Sequence, residues 1–228
     1  MDGVVEFSWL RWDVHPDVLV GVLLFQGAYL VAIGPARERY GWIGRVKPRE
    51  IISFSLGVGA LFLALHSPLH ELSDHYLFFA HMVQHLVLIL IVPPLLLAGT
   101  PSWLLRPVVR LRFVMPIARV ITFPVAAFLV FNLVLIVWHF PEFYDMALRW
   151  HSIHILEHLM FLVVATVAWW PVLSPVPELP RLSYPLQMLY LFFNSLPMGF
   201  LGAILTFSTD VVYEGYVGAP RLWGISAL

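Results

Sequence analysis

Apolar residues run along this chain in six long stretches separated by short polar connections, near residues 17–35, 50–66, 75–99, 120–139, 151–173 and 185–208. Each approaches the length of about 20 helical residues that a hydrocarbon core requires. The runs are continuous and lack the alternation of a barrel strand, so each is predicted to be a transmembrane α-helix. No connection is long enough for a soluble domain. The expected fold is all-α, a polytopic membrane helix bundle forming one domain over residues 1–228. Pro93 and Pro94 should kink or end the third span, because proline removes a ladder donor and clashes with the preceding turn. Pro197 should do the same midway along the sixth.

Composition agrees with this pattern: 60% of the 228 residues are hydrophobic and 12% charged, with mean hydropathy +0.84, outside the range of soluble domains. The absence of cysteine excludes thiolate ligands, disulfides and thiol redox chemistry. A formal net charge of −1 argues against a nucleic-acid partner. The N-terminal segment carries Asp2, Glu6 and Asp13 against Arg11 alone, the wrong polarity for a secretory or transit signal, and is expected to stay attached.

Lys and Arg resist translocation, so their distribution predicts orientation. Arg37, Arg39, Arg45, Lys47 and Arg49 lie in the first connection, Arg106, Arg110, Arg112 and Arg119 in the third, and Arg181 in the fifth. Only Arg11, Arg149 and Arg221 fall on the other side. The N-terminus is therefore expected outside, with residues 36–48 and 101–119 cytoplasmic. Glu71, Asp74, Glu142, Asp145, Asp210 and Glu214 sort to the outer side.

On this topology all ten histidines fall in the outer half. His15 precedes the first span, His66 and His70 follow the second, and His75, His81 and His85 enter the third. His139 closes the fourth; His151, His154 and His158 open the fifth. His81 and His85, and likewise His154 and His158, are i, i+4 pairs that each offer two imidazoles to one side of a helix. Counted along unbroken helices, His85 lies roughly 15 Å below His75 and His158 about 10 Å below His151. Ionisable groups at such depth face the bundle interior and have partners. A single membrane histidine is ordinarily an interhelical hydrogen-bonding residue. That reading is strongest for His15, His66, His70, His75 and His151, near the interface or in loops. The two pairs together with His139 point instead to a metal or haem site, formed by His81, His85, His139, His154 and His158. Glu157, about 100° round its helix from His158, can orient a neighbouring ligand or repel a like charge. Met198 falls near the depth of His85, where a thioether would favour Cu(I), although packing is its commoner role. Asn194 and Asp210 read as polar glue and an external charge, and Trp9, Trp12, Trp42, Trp103 and Trp223 as interfacial anchors.

Several motifs resemble the CtaG family of cytochrome c oxidase assembly factors: H-M-V-Q-H at His81 to His85 with P-P-L-L-L at Pro93 to Leu97, W-H-F-P-E-F-Y at Trp138 to Tyr144, and H-I-L-E-H at His154 to His158 with W-W-P-V at Trp169 to Val172. P-R-L-W-G-I-S at Pro220 to Ser226 and H-P-D at His15 to Asp17 agree, so the resemblance covers essentially the whole chain. His66 and His70 fall outside the family pattern. That pattern continues past the W-G-I-S element into a seventh span, which would lie beyond Leu228. The resemblance implies a multi-pass protein of the bacterial plasma membrane that matures a haem-copper oxidase of the caa type. It would be an assembly factor rather than an enzyme, bringing copper, Cu(I) favoured, to the oxidase subunits from the outer face, with a periplasmic or extracellular copper donor. Haem handling or electron transfer, and a purely structural oxidase-associated subunit, are the alternatives. Transmembrane electron transfer would want a second site near the inner face, where no histidine falls.

Overall fold

The computed structural model describes residues 7–10, 12, 14–219 and 222–223. Asp2, Glu6, Arg11, Asp13 and Arg221, and all but two residues of the motif at 220–226, lie outside the described residues.

Prolines open many of the helices, at the position where a missing N–H has no intrahelical partner to lose. Pro16 starts α1 (Pro16–Val31), Pro48 starts α2 (Pro48–His66) and Pro68 starts α3 (Pro68–His75). There follow α4 (Phe78–Leu86), a π-helical segment at Val87–Ile91, and α5 (Val92–Gly99). The short α6 (Ser102–Val109) and α7 (Val114–Ile121) lead to α8 (Pro124–Trp138), α9 (Pro141–Arg149), α10 (His151–Leu173) and α11 (Tyr184–Thr206). Among the described residues, five helical stretches are long and apolar enough to cross a membrane, and the bent pair α7–α8 makes a sixth if taken as one span. Exposed apolar side chains such as Leu23, Leu24, Leu129, Leu133, Leu159 and Phe192 clothe these helices, as lipid-facing surfaces require.

The spans pack in two groups joined by the third. Tyr29, Phe54, Val58, Leu61, Leu88 and Leu96 close the core between α1, α2 and the third span. Phe131, Leu135, Phe161 and Ala165 close that between α8 and α10. A close approach lies at Gly99, where an added Cβ would stand 2.3 Å from the backbone nitrogen of Phe54. The small residue lets the two backbones meet.

The structure refines four expectations. The third span starts at Phe78, not residue 75, because Leu77 is extended (φ −139°, ψ 115°); His75 belongs to the separate α3, so the depth of His85 cannot be counted from it. Pro93 and Pro94 do not end that span. The π segment just before them absorbs the loss of donors, with the Val92 N–H reaching back to the Val87 carbonyl. The fourth span begins at Pro124, and α7 lies 77° away from α8, because the residue before a proline is driven extended, as Phe123 is (ψ 132°). Finally, α11 runs through Pro197 without a break, as membrane helices can when intact turns flank the proline.

The histidines share one end of the bundle, where α1, α4 and α10 begin and α2 and α8 finish. At the opposite end Arg106 and Arg110 both donate to Glu178.

Candidate metal centre

Local helix starts set the register of the site. α4 begins at Phe78 and α10 at His151. His81 and His154 therefore each sit three residues into a helix, and His85 and His158 seven, about 10 Å down. The break before Phe78 thus brings the two pairs level. Ring centroids of His81 and His154 are 5.3 Å apart, those of His85 and His158 5.3 Å, and those of His154 and His158 4.2 Å. One ligand atom from each of His81, His154, Glu157 and His158 lies within 4.8 Å of the others. His85 joins them through a 2.8 Å Nε2–Nε2 approach to His81, with its Nε2 3.8 Å from Glu157 Oε1.

All five of these side chains are buried, and Glu157 is 0% exposed. Among the described residues, His85 Nδ1, His154 Nε2, His158 Nε2 and both Glu157 oxygens have no hydrogen-bond partner. Buried polar atoms are almost always paired, and a buried carboxylate is costly unless something positive meets it. This concentration of unpartnered donor atoms is what a cation would satisfy.

Surrounding groups fix tautomers. Tyr216 gives its hydroxyl proton to the Ser73 carbonyl at 2.6 Å, so its oxygen can only accept from His81 Nδ1, 3.4 Å away. That leaves the His81 Nε2 lone pair facing inward. Tyr144, stacked on Tyr213, stands 3.1 Å from the Tyr216 oxygen; burial pushes the hydroxyls of Tyr144 and Tyr216 up, keeping both as donors. His139 Nδ1 donates to the Leu135 carbonyl at 2.7 Å, so its lone pair is on Nε2. Asp74 lies 3.5 Å from His154 Nδ1 and 3.6 Å from His70 Nδ1. Burial raises Asp74, but His154, His70 and His81 outweigh it and hold the carboxyl below its usual range. Gln84 reaches the Ala64 carbonyl and His70 Nδ1 with its amide nitrogen.

Of the residues singled out in the sequence, His81, His85, His154 and His158 converge, while His139 stands at the edge, its ring 5.9 Å from that of His85. Glu157 lies within the cluster itself. His70, read as a loop residue, is buried, 5.8 Å by ring centroid from His154; the packing of α3 on α4, which no periodicity announces, puts it there. The same packing brings in Asp74, which the sequence places only among the outer acids. His66 is structural, its ring nitrogens meeting the carbonyls of Phe62 and His15, and His75 is exposed. Met198 packs on the apolar cluster of Ile89, Phe131 and Ala165. Asn194 is polar glue, accepting from Asn132 at 2.9 Å.

No solved structure matches this chain. Two uncharacterized proteins, from Mycobacterium bovis and Mycobacterium tuberculosis, are each 28% identical to it across 89% of this chain and 32% of their own length. The chain thus spans about a third of the curated relatives it matches. A family model described as cytochrome c oxidase caa3 assembly factor matches residues 27–228, a stretch that contains all five histidines singled out as ligands. The chain belongs to this family, the Caa3_CtaG assembly factors of cytochrome c oxidase.

Proposed function

We propose that the protein handles copper during oxidase assembly, binding the ion among His81, His85, His154, His158 and Glu157 and passing it to oxidase subunits. The observation that carries this reading is the set of unpartnered, buried imidazole nitrogens and carboxylate oxygens converging from α4 and α10. Imidazole suits copper, and the haem-copper oxidase that the family assembles needs that metal. The carboxylate and the packed Met198 remove the reason to prefer Cu(I), so the set accepts either oxidation state. Copper is cargo here, which favours a site that binds and releases over closed thiolate coordination. In this reading the histidine end faces outward from a bacterial plasma membrane, because the basic connections hold the other end inside, and an external copper donor loads it.

Haem fits less well. A bis-imidazole haem needs a slot wide enough for a porphyrin between imidazoles of two helices, whereas His81, His85, His154, Glu157 and His158 are buried against one another.

Metal analysis and an absorption spectrum of the purified full chain test the proposal. The expected result is copper retained by the wild type and lost from His158→Ala, with no Soret band. Equal copper in wild type and a fourfold His81, His85, His154 and His158 to Ala variant, or a haem spectrum, overturns it.

A further inference from the structure

Above the buried cluster the side chains form two further levels of the same chemistry. At the rim, the rings of His15 and His151 are 4.4 Å apart, and His151 Nε2 lies 3.3 Å from Asp17 Oδ2. His151 and Asp17 are exposed and His15 half-buried. One level down, the His70 ring is 5.2 Å from that of His15 and 5.8 Å from that of His154, with the Asp74 carboxylate directed at both His70 and His154. Below that stands the buried set with Glu157. Each level therefore joins imidazoles to one carboxylate: Asp17, then Asp74, then Glu157. A largely apolar cavity of about 1080 Å³ is lined at this end by His15, Asp17, His70, His151, His154 and His158, with Asp74 and Glu157 behind its wall.

His154 belongs to two levels. Its Nδ1 faces Asp74 while its buried Nε2 has no hydrogen-bond partner among the described residues. A bare ion entering a membrane protein faces a large desolvation penalty, and a carboxylate at each step offsets it. Neighbouring rings stand 4 to 6 Å apart by centroid, a spacing that suits ligand exchange between adjacent levels.

We propose that His15, His151 and Asp17 form a second, outer metal site that captures copper and passes it by ligand exchange through His70 and Asp74 to His154. This rests on reading the buried cluster as a copper site. No electron moves in the transfer; one copper–nitrogen bond forms as another breaks, and the charge of the ion is unchanged.

The test uses the full chain in detergent, with Cu(I) supplied as its bicinchoninate complex, whose colour falls as the ion leaves. A His15→Ala, His151→Ala double variant should still fill the buried site, losing only copper held at the rim, but load it on the order of tenfold more slowly, the scale on which single supporting ligands act. A second measurement examines the outer site directly. In a chain carrying His81→Ala, His85→Ala and His158→Ala, added Cu(II) should give an electron paramagnetic resonance signal with imidazole nitrogen coupling. Adding His15→Ala and His151→Ala should abolish it. Unchanged loading in the double variant, or no rim-dependent Cu(II) signal, overturns the outer site while leaving the buried one standing. A wild-type chain that takes up no copper removes the buried site, and the relay with it.

Discussion

Trp169 donates its indole N–H to the carbonyl of Ile89 at 2.8 Å. Ile89 lies four residues before Pro93 and five before Pro94, so neither an α-helical nor a π-helical donor exists for its carbonyl within the third span. An unsatisfied backbone group in a bilayer is costly. α10 supplies the missing bond and in doing so sets its own depth against the third span, next to the histidines. Trp169→Phe should destabilise the protein by about 1–3 kcal/mol in detergent unfolding. Adding Pro93→Ala, which restores a backbone donor, should recover part of that loss. Strictly additive effects in the double-mutant cycle would show that the bond does not bridge the proline gap.

A second contact holds the other half of the bundle. Gly99 lies against the backbone of Phe54, and its carbonyl accepts from Tyr29 at 2.9 Å. Gly99→Ala forces a methyl into backbone that cannot yield without moving α2, and overpacking of this kind costs about 1–3 kcal/mol. A lowered thermal midpoint by circular dichroism is expected. Wild-type stability would mean that the two helices slide freely.

The spans and the histidine pairs were legible in the sequence because each rests on local periodicity: apolar length for the helices, i, i+4 spacing for His81 with His85 and His154 with His158. What set their common depth was not. Tyr76 and Leu77 are apolar and read as part of a continuous helix, yet the chain is extended at Leu77, buried against Leu72 and Ala80. That break, a product of tertiary packing, levels the two pairs. His70 and Asp74 were likewise invisible as site residues, since only the folding of α3 onto α4 brings them to His154. The bend before Pro124 was readable in principle, from the restriction that proline places on Phe123.

At the opposite end, pH offers a check. The side-chain hydrogen bond from Arg106, joined by one from Arg110, holds the Glu178 carboxyl at about 2, below its ordinary 4.5. The folded form thus binds this proton less readily than the unfolded chain. Its stabilising effect is present above pH 4.5 and fades as pH falls toward 2. Glu178→Gln should be less stable than wild type at neutral pH, with the difference shrinking through that acidic window. A difference that grows on acidification would contradict the sign.

Orientation is testable with two exposed positions at opposite ends of the bundle. Cysteines introduced at Lys47 and Glu142 meet no competing native thiol. An impermeant maleimide applied to intact cells should label the Glu142→Cys protein, and the Lys47→Cys protein only after the membrane is breached. Labelling of both in sealed cells, or the reverse order, would invert or abolish the outward placement of the histidines.

Glu157 separates a metal centre from a merely structural polar cluster. Its carboxylate is buried beside three imidazoles and has no hydrogen-bond partner among the described residues, so without a cation it is a burden on the fold, and with one it is a ligand. Glu157→Gln preserves shape while removing the charge. The metal-free variant should therefore be at least as stable as wild type, whereas its copper affinity should fall about 10- to 100-fold, the scale of a lost supporting or ligating group. In a structural cluster the carboxylate would hold the imidazoles by ion pairing, and the same substitution would lower the midpoint without metal. The two readings thus predict opposite signs for one thermal melt of the copper-free protein, and copper titration of the same sample supplies the second coordinate.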